Sequence, residues 1–250
     1  MNRLATQSFG EGGRPLLVAH GLFGTGRNWG VIAKRLSDRG RVVTVDMRNH
    51  GDSFWDDDHS YKAMAGDLAE IIGEEEWDVL GHSMGGKASM ALALHHPEKV
   101  RRLVVADIAP VAYSHSQMQF IHAMRALDLS QISTRKEADD AFAVHVHDAG
   151  VRAFLLQSLD VREGRWRMNL DVLEARMEEI TGWQPIDATF PRAAMFLSGG
   201  DSDYVKSEYS DDIRALFPKA RFVWIPGTGH WLHAEKPRDV EASIRLFLDA

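Results

Sequence analysis

Between the apolar run Trp77-Asp78-Val79-Leu80 and the small-residue run Lys87 to His95 (KASMALALH) stands the pentapeptide Gly81-His82-Ser83-Met84-Gly85. The first run reads as a short strand, and the second as a helix that Pro97 terminates. The G-x-S-x-G between them therefore occupies a strand-to-helix turn, and this placement constrains the chain more than any other feature. A turn this sharp strains the backbone of its central serine, so the positions two residues either side must be Gly or very small. The geometry lifts the Ser83 hydroxyl clear of the sheet edge and sets it at a helix N-terminus. Free N–H groups and the positive dipole end there favour a developing oxyanion. The segment reads as a nucleophile elbow. A Gly-rich turn with a passive serine is the bland alternative, which the rest of the chain must exclude.

Strand-like runs alternate with helical stretches over most of the length, the pattern of a mostly parallel α/β sheet covered on both faces. Strands are expected at Pro15 to His20, Arg41 to Asp46, the elbow strand, Val100 to Ile108, Arg192 to Ser198 and Ala220 to Ile225. Helices are expected near Asn28 to Arg39, at Tyr61 to Gly73, after the elbow, at Ser207 to Phe217 and at Pro237 to Leu248. From about Val111 to Pro185 the alternation breaks into helical pieces, Met118 to Leu127, Lys136 to His147 and Leu170 to Ile180, with no convincing strand. Such an insertion is expected to act as a helical lid, residues 111–185, over a core of 1–110 and 186–250. The sites of open α/β sheets lie at that edge, the carboxyl ends of the strands. The plainer reading is that these helices only cover the sheet.

With 250 residues, 44% of them hydrophobic, the chain suits one globular domain carrying an insertion. It has no cysteine, so disulfides, a Cys nucleophile and thiolate metal sites are excluded. The opening MNRLATQSFGEGGRP lacks an apolar leader core, and no apolar run approaches membrane-spanning length. A cytoplasmic location without a membrane partner is the expectation. A formal charge of −7 argues against nucleic acid as a partner. Arg101-Arg102 and the basic residues between Arg162 and Arg167 read as solvated surface.

A serine hydroxyl is a weak nucleophile until a base takes its proton. His230, in Gly227-Thr228-Gly229-His230-Trp231, follows the last strand in a glycine-bounded loop and is the best candidate. His233 opens the final helical segment beside Glu235 and is expected to be a capping or surface residue. The third member must be a carboxylate at another strand end that orients the imidazole. Asp107 (VVADIAP) and Asp203 (GGDSD) both qualify. Asp107 is preferred because it interrupts an apolar strand end, where a charge without a partner is costly. An oxyanion hole needs two N–H donors, expected from Met84 and from Leu22 in the loop His20-Gly21-Leu22-Phe23-Gly24. Phe23 is expected to turn towards the acyl pocket. His20 and the turn Asp46 to Ser53 are expected to be structural.

Competing motifs fail. Gly21-Leu22-Phe23-Gly24-Thr25-Gly26 has the wrong glycine order for a dinucleotide site, and no tyrosine has a lysine four residues later. No phosphate-binding G-x-x-x-x-G-K-[ST] occurs, and Lys87 is one residue too far from Ser83 for the S-x-x-K of penicillin-binding enzymes. His145 and His147 would sit on different helix faces, a poor metal site.

Taken together, HGLFGTGRNW, VDMRNHGDS, GHSMGGKASM, DIAPVAY and GTGHWLHAEKP resemble the α/β-hydrolase superfamily, and more narrowly the YbfF-type small esterases with their ABHD-eleven-type relatives. The resemblance implies Ser83 as nucleophile, His230 as base and Asp107 as acid. It also implies hydrolysis of a small-molecule acyl ester or thioester with no cofactor, and the absence of a suitable ligand cluster in the sequence leads to the expectation of no metal. An acid at Asp203 departs from the pattern of that group and keeps the choice of acid open. The same triad serves carbon–carbon bond hydrolases and cofactor-free haloperoxidases, and a non-catalytic binding protein on this fold is the alternative of a different class. A carboxylate nucleophile, as dehalogenation requires, is absent from position 83.

Overall fold

The computed structural model describes residues 3–250. Its first strand, β1 (Thr6–Gly13), is polar, glycine-rich and exposed along most of its length. β2 (Leu16–Ala19) is fully buried, as two covered faces require. A short 3₁₀ turn, Gly26–Trp29, leads into α1 (Gly30–Leu36), followed by β3 (Gly40–Val45), α2 (Tyr61–Ile72), β4 (Trp77–His82) and α3 (Met84–His95). β5 (Val100–Ala106) then carries the chain into the insertion.

The insertion contains α4 (Met118–Ala126), α5 (Arg135–Phe142), α6 (Ala149–Leu156), a hairpin of β6 (Leu159–Asp160) and β7 (Arg165–Trp166), α7 (Leu170–Ala175) and α8 (Met177–Thr181). The core resumes with β8 (Ala194–Gly199), α9 (Ser210–Leu216), β9 (Ala220–Ile225), α10 (Leu232–Glu235) and α11 (Pro237–Asp249). The seven-stranded sheet runs β1-β3-β2-β4-β5-β8-β9. Only β1 is antiparallel to its neighbour.

Alternating side chains of the parallel strands feed two cores. Leu16, Val18, Leu80 and Val104 pack with Ile32 and Leu36 of α1 and with Val240, Ile244 and Phe247 of α11. Leu17, Ala19, Val79 and Val105 pack on the other face with Met64 and Leu68 of α2 and with Met90 of α3. The second core continues into the insertion through Ile121, Phe142, Leu155 and Leu173, so the insertion is fused to the core. Among the described residues no helix is long and apolar enough to cross a membrane.

Several expectations are corrected. β1 went unforeseen because backbone pairing with β3, Thr6 opposite Val45 through Phe9 opposite Val42, holds it rather than any apolar pattern. The insertion does contain strands, the two-residue pairs of the β6–β7 hairpin, and a helix at Ala149–Leu156. Arg101 is not free surface: it forms a two-pronged pair with the fully buried Asp78, Nε to Oδ1 at 2.7 Å and Nη2 to Oδ2 at 2.6 Å. Arg102 donates to the Phe247 carbonyl, and Arg167 is paired with Asp52. Burial raises the Asp78 carboxyl above its ordinary pKa, opposed by its bonds to Arg101.

Candidate active site

The elbow forms where β4 ends. Ser83 has φ 52° and ψ −120°, a left-handed backbone that only the surrounding turn sustains. A Cβ on Gly81 would collide with Gly85 O and Ser89 Oγ, and one on Gly85 with the carbonyl oxygens of Ala19 and His20. The glycines at these positions are therefore steric necessities. Asp107 repeats the device one strand over, with φ 52° directly after β5.

These turns bring three side chains into line. The Ser83 hydroxyl donates to His230 Nε2 at 3.1 Å, and His230 Nδ1–H donates to Asp107 Oδ2 at 2.7 Å. The carboxylate fixes the imidazole tautomer, leaving Nε2 as the acceptor that faces Ser83. Asp107 is completely buried, and it also accepts from the Gly199 N–H at 2.9 Å and the Ser202 hydroxyl at 2.5 Å. Asp203 lies exposed in the loop after β8. That loop reaches the site through Ser202 and through Tyr204, whose ring stacks on His230 with centroids 3.9 Å apart.

Of the expected oxyanion donors, Met84 opens α3 directly after Ser83 and Leu22 lies on the loop after β2. Phe23, in a left-handed backbone (φ 64°), donates its N–H to His50 Nε2 at 3.2 Å. The N–H groups of Leu22 and Met84 meet no acceptor among the described residues. His20 and His50 brace this edge as neutral rings. His20 donates from Nδ1 to Gly21 O at 2.7 Å and accepts the Met47 N–H at 2.9 Å, while His50 donates to Arg48 O at 2.9 Å. Burial lowers their pKa values to about 4 and about 3. Asp46 likewise ties the turn together, accepting from the N–H groups of Gly26 at 2.8 Å and Asp52 at 2.9 Å.

His233 is not the surface or capping residue expected. It is 5% exposed, stacked on Trp29 with centroids 4.5 Å apart, and burial pushes its pKa down to about 3. Sequence reasoning also assigned no part to His82, whose Nε2–H donates to His230 O at 2.9 Å and holds that loop from behind. Its position inside the elbow pentapeptide was the available signal.

A cavity of about 200 Å³ opens over Ser83. Its lining includes the apolar Phe23, Phe120, Val151, Phe154, Leu155 and Trp231, together with Lys87, Tyr61 and Tyr113. No group of three or more His, Cys, Asp or Glu able to hold a metal exists among the described residues. A hydroxyl–imidazole–carboxylate line, buried at Asp107 and half-buried at Ser83 and His230, beside two unengaged N–H donors and an apolar cavity can attack an acyl carbon and stabilise the oxyanion it generates.

The fold is that of the α/β-hydrolases, and the profile of the alpha/beta hydrolase fold family matches residues 14–237. The chain belongs to this family. It is 41% identical over 239 residues to esterase YbfF of Escherichia coli (strain K12), spanning 94% of this chain and 93% of that protein. It is 40% identical over 253 residues to the sn-1-specific diacylglycerol lipase ABHD11 of Mus musculus, spanning 96% of this chain and 82% of the relative. A solved marine microorganism esterase superposes with a TM-score of 0.94 at 38% identity, covering 99% of this chain and all of that one, 100%.

Proposed function

We propose that this enzyme is a serine esterase that cleaves acyl esters and thioesters through an acyl-enzyme. One observation carries the reading: Ser83, His230 and Asp107 form a continuous hydrogen-bonded line at the base of an apolar cavity. Ser83 Oγ attacks the acyl carbon while its proton passes to His230 Nε2, and Asp107 stabilises the imidazolium. The Leu22 and Met84 N–H groups receive the oxyanion. As the tetrahedral adduct collapses, the alcohol or thiol leaves with the proton from His230. Water then adds to the acyl-enzyme, giving its proton to His230, and the carboxylic acid departs as the proton returns to Ser83.

Residues 111–185 act as the lid, and their apolar side chains, with Phe23, seat an acyl chain of medium length. Relatives named as an esterase and a diacylglycerol lipase support an ester substrate with an apolar acyl group.

The test is labelling with a fluorophosphonate probe together with turnover of p-nitrophenyl esters and acyl-CoA thioesters of graded length. Wild-type protein is expected to be labelled at Ser83. Ser83→Ala is expected to lose the label and about 10⁴- to 10⁶-fold in kcat while keeping its melting temperature. An unlabelled wild type, or substantial turnover by Ser83→Ala, sinks the serine mechanism.

A further inference from the structure

The proposed reaction leaves one buried cation of the site without a task. Lys87 stands one helical turn beyond Ser83, its backbone N–H bonded to the Ser83 carbonyl at 3.0 Å, and it is 1% exposed. No carboxylate pairs with it among the described residues. Its three ammonium donors go instead to backbone carbonyls: Val111 at 2.9 Å, Thr181 at 2.9 Å and Gly182 at 2.6 Å. The rings of Tyr113 and Tyr61 lie 4.8 Å and 5.7 Å from Nζ. A buried charge without a counter-ion is expensive, and an apolar side chain of similar shape would pack there at lower cost. What an apolar residue could not supply is three strong donors aimed in three directions.

The three carbonyls share a location. Val111 lies on the segment leading from β5 into the insertion, and Thr181 and Gly182 lie where α8 ends and the insertion leads back. The two segments also meet directly, Tyr113 N–H to Thr181 O at 3.0 Å. From there the contacts reach the base. The Tyr113 hydroxyl accepts from the Ala109 N–H at 2.9 Å and donates to Tyr204 O at 2.6 Å. Tyr204 is the residue stacked on His230.

We propose that Lys87 is a positioning residue whose ammonium fastens both roots of the insertion to the nucleophile helix. It thereby holds the acyl-pocket wall, and the ring backing His230, in place relative to Ser83. The inference rests on the acyl-pocket reading above, because Phe120, Val151 and Phe154, which line the cavity, belong to the insertion whose roots Lys87 fastens.

The clamp depends on protonation. A neutral amine has two donors, so one of the three carbonyls must be released on deprotonation. Burial lowers the Lys87 pKa to about 7. Among the described residues, the titratable groups that share its cavity are Tyr61 from α2, Tyr113 and His115 from the entry segment, Tyr204 from the loop after β8, and His82 and His230 beside Ser83, while the exit residues Thr181 to Trp183 offer none. The clamp is therefore tight below about pH 7 and slackens as pH rises through that value.

The experiment compares kcat and KM for p-nitrophenyl acetate and octanoate in wild type and Lys87→Met across about pH 6 to 8.5. In wild type the octanoate-to-acetate ratio of kcat/KM is expected to fall as pH rises. In Lys87→Met it is expected to be low and flat, with the octanoate KM raised about ten-fold and acetate turnover reduced less. A ratio and pH profile matching wild type would overturn the inference. So would an equal loss for both esters. Hydrogen exchange on the wild-type protein gives an answer even if the variant folds poorly. Protection of 109–116 and 181–185 is expected to be high near pH 6 and to drop over the same pH range after correction for intrinsic rates; low protection near pH 6, where the amine is charged, refutes the clamp, and constant high protection refutes its pH dependence. Fluorophosphonate labelling separates the failures: labelled Ser83 with an unchanged ratio rejects Lys87 alone, whereas an unlabelled wild type rejects the esterase reading itself.

Discussion

A carboxylate at the buried end of a strand must be met by donors, and Asp107 has three: the Gly199 N–H, the Ser202 hydroxyl and the His230 ring. Replacing it by Asn preserves shape but lets the imidazole take the wrong tautomer. Asp107→Asn is expected to lower kcat about 10³- to 10⁴-fold with little change in KM, whereas the exposed Asp203→Asn stays within about two-fold. Steady-state kinetics on both variants check this, and the opposite ranking would move the acid to Asp203. Asp107 was legible in the sequence because a charge among apolar residues demands a partner wherever the chain goes. The environment of His233 was not, since the same residue is a surface cap or a ring stacked on Trp29 depending on where a distant helix docks. The bond from Phe23 N–H to His50, 27 residues away, was hidden for the same reason. Local spacing records the turns, while the bracing of those turns is long-range.

At the scale of elements, one substitution should act with opposite signs at two glycines. Gly81→Ala puts a Cβ against Gly85 O and Ser89 Oγ inside the elbow, where neither strand nor helix can move aside. It is expected to cost about 1–3 kcal/mol or more. Gly66 lies exposed in the middle of α2 with nothing within 4 Å of an added Cβ. Gly66→Ala is expected to stabilise by about 0.5–1 kcal/mol by raising helix propensity. Denaturant unfolding of the pair checks both, and equal effects would mean that the elbow is less confined than its contacts indicate. The same contrast explains which elements were legible. β2 to β5 and α3 are apolar enough to announce themselves. β1 is held by hydrogen bonds to β3, and the β6–β7 pairing spans only two residues per strand, too few for any period to register.

Over the whole molecule, the notable store of strain against acid is histidine. His20, His50, His59, His82 and His233 are all buried. Burial depresses each of them, to about 4 for His20 and about 3 for His50, His59 and His233, with His82 also held well below the ordinary value. Two of them accept backbone N–H groups, so a proton on His20 or His50 would set donor against donor at Met47 or Phe23. Because the folded-state values lie below the unfolded one of about 6.5, the unfolded chain binds more protons as pH falls through that value. The stability these neutral rings confer is complete above about pH 6.5 and is lost progressively towards the folded-state values, at roughly 1.4 kcal/mol per pH unit for each histidine. Three to five such groups would exhaust a total stability of about 5–15 kcal/mol within a few pH units. The enzyme is therefore expected to unfold cooperatively on mild acidification, before most carboxylates titrate. Urea unfolding at intervals from about pH 7.5 down to 5 measures the slope directly. A slope of at least three protons supports the histidine account, and a slope below one would show that these rings accept protons in the folded protein.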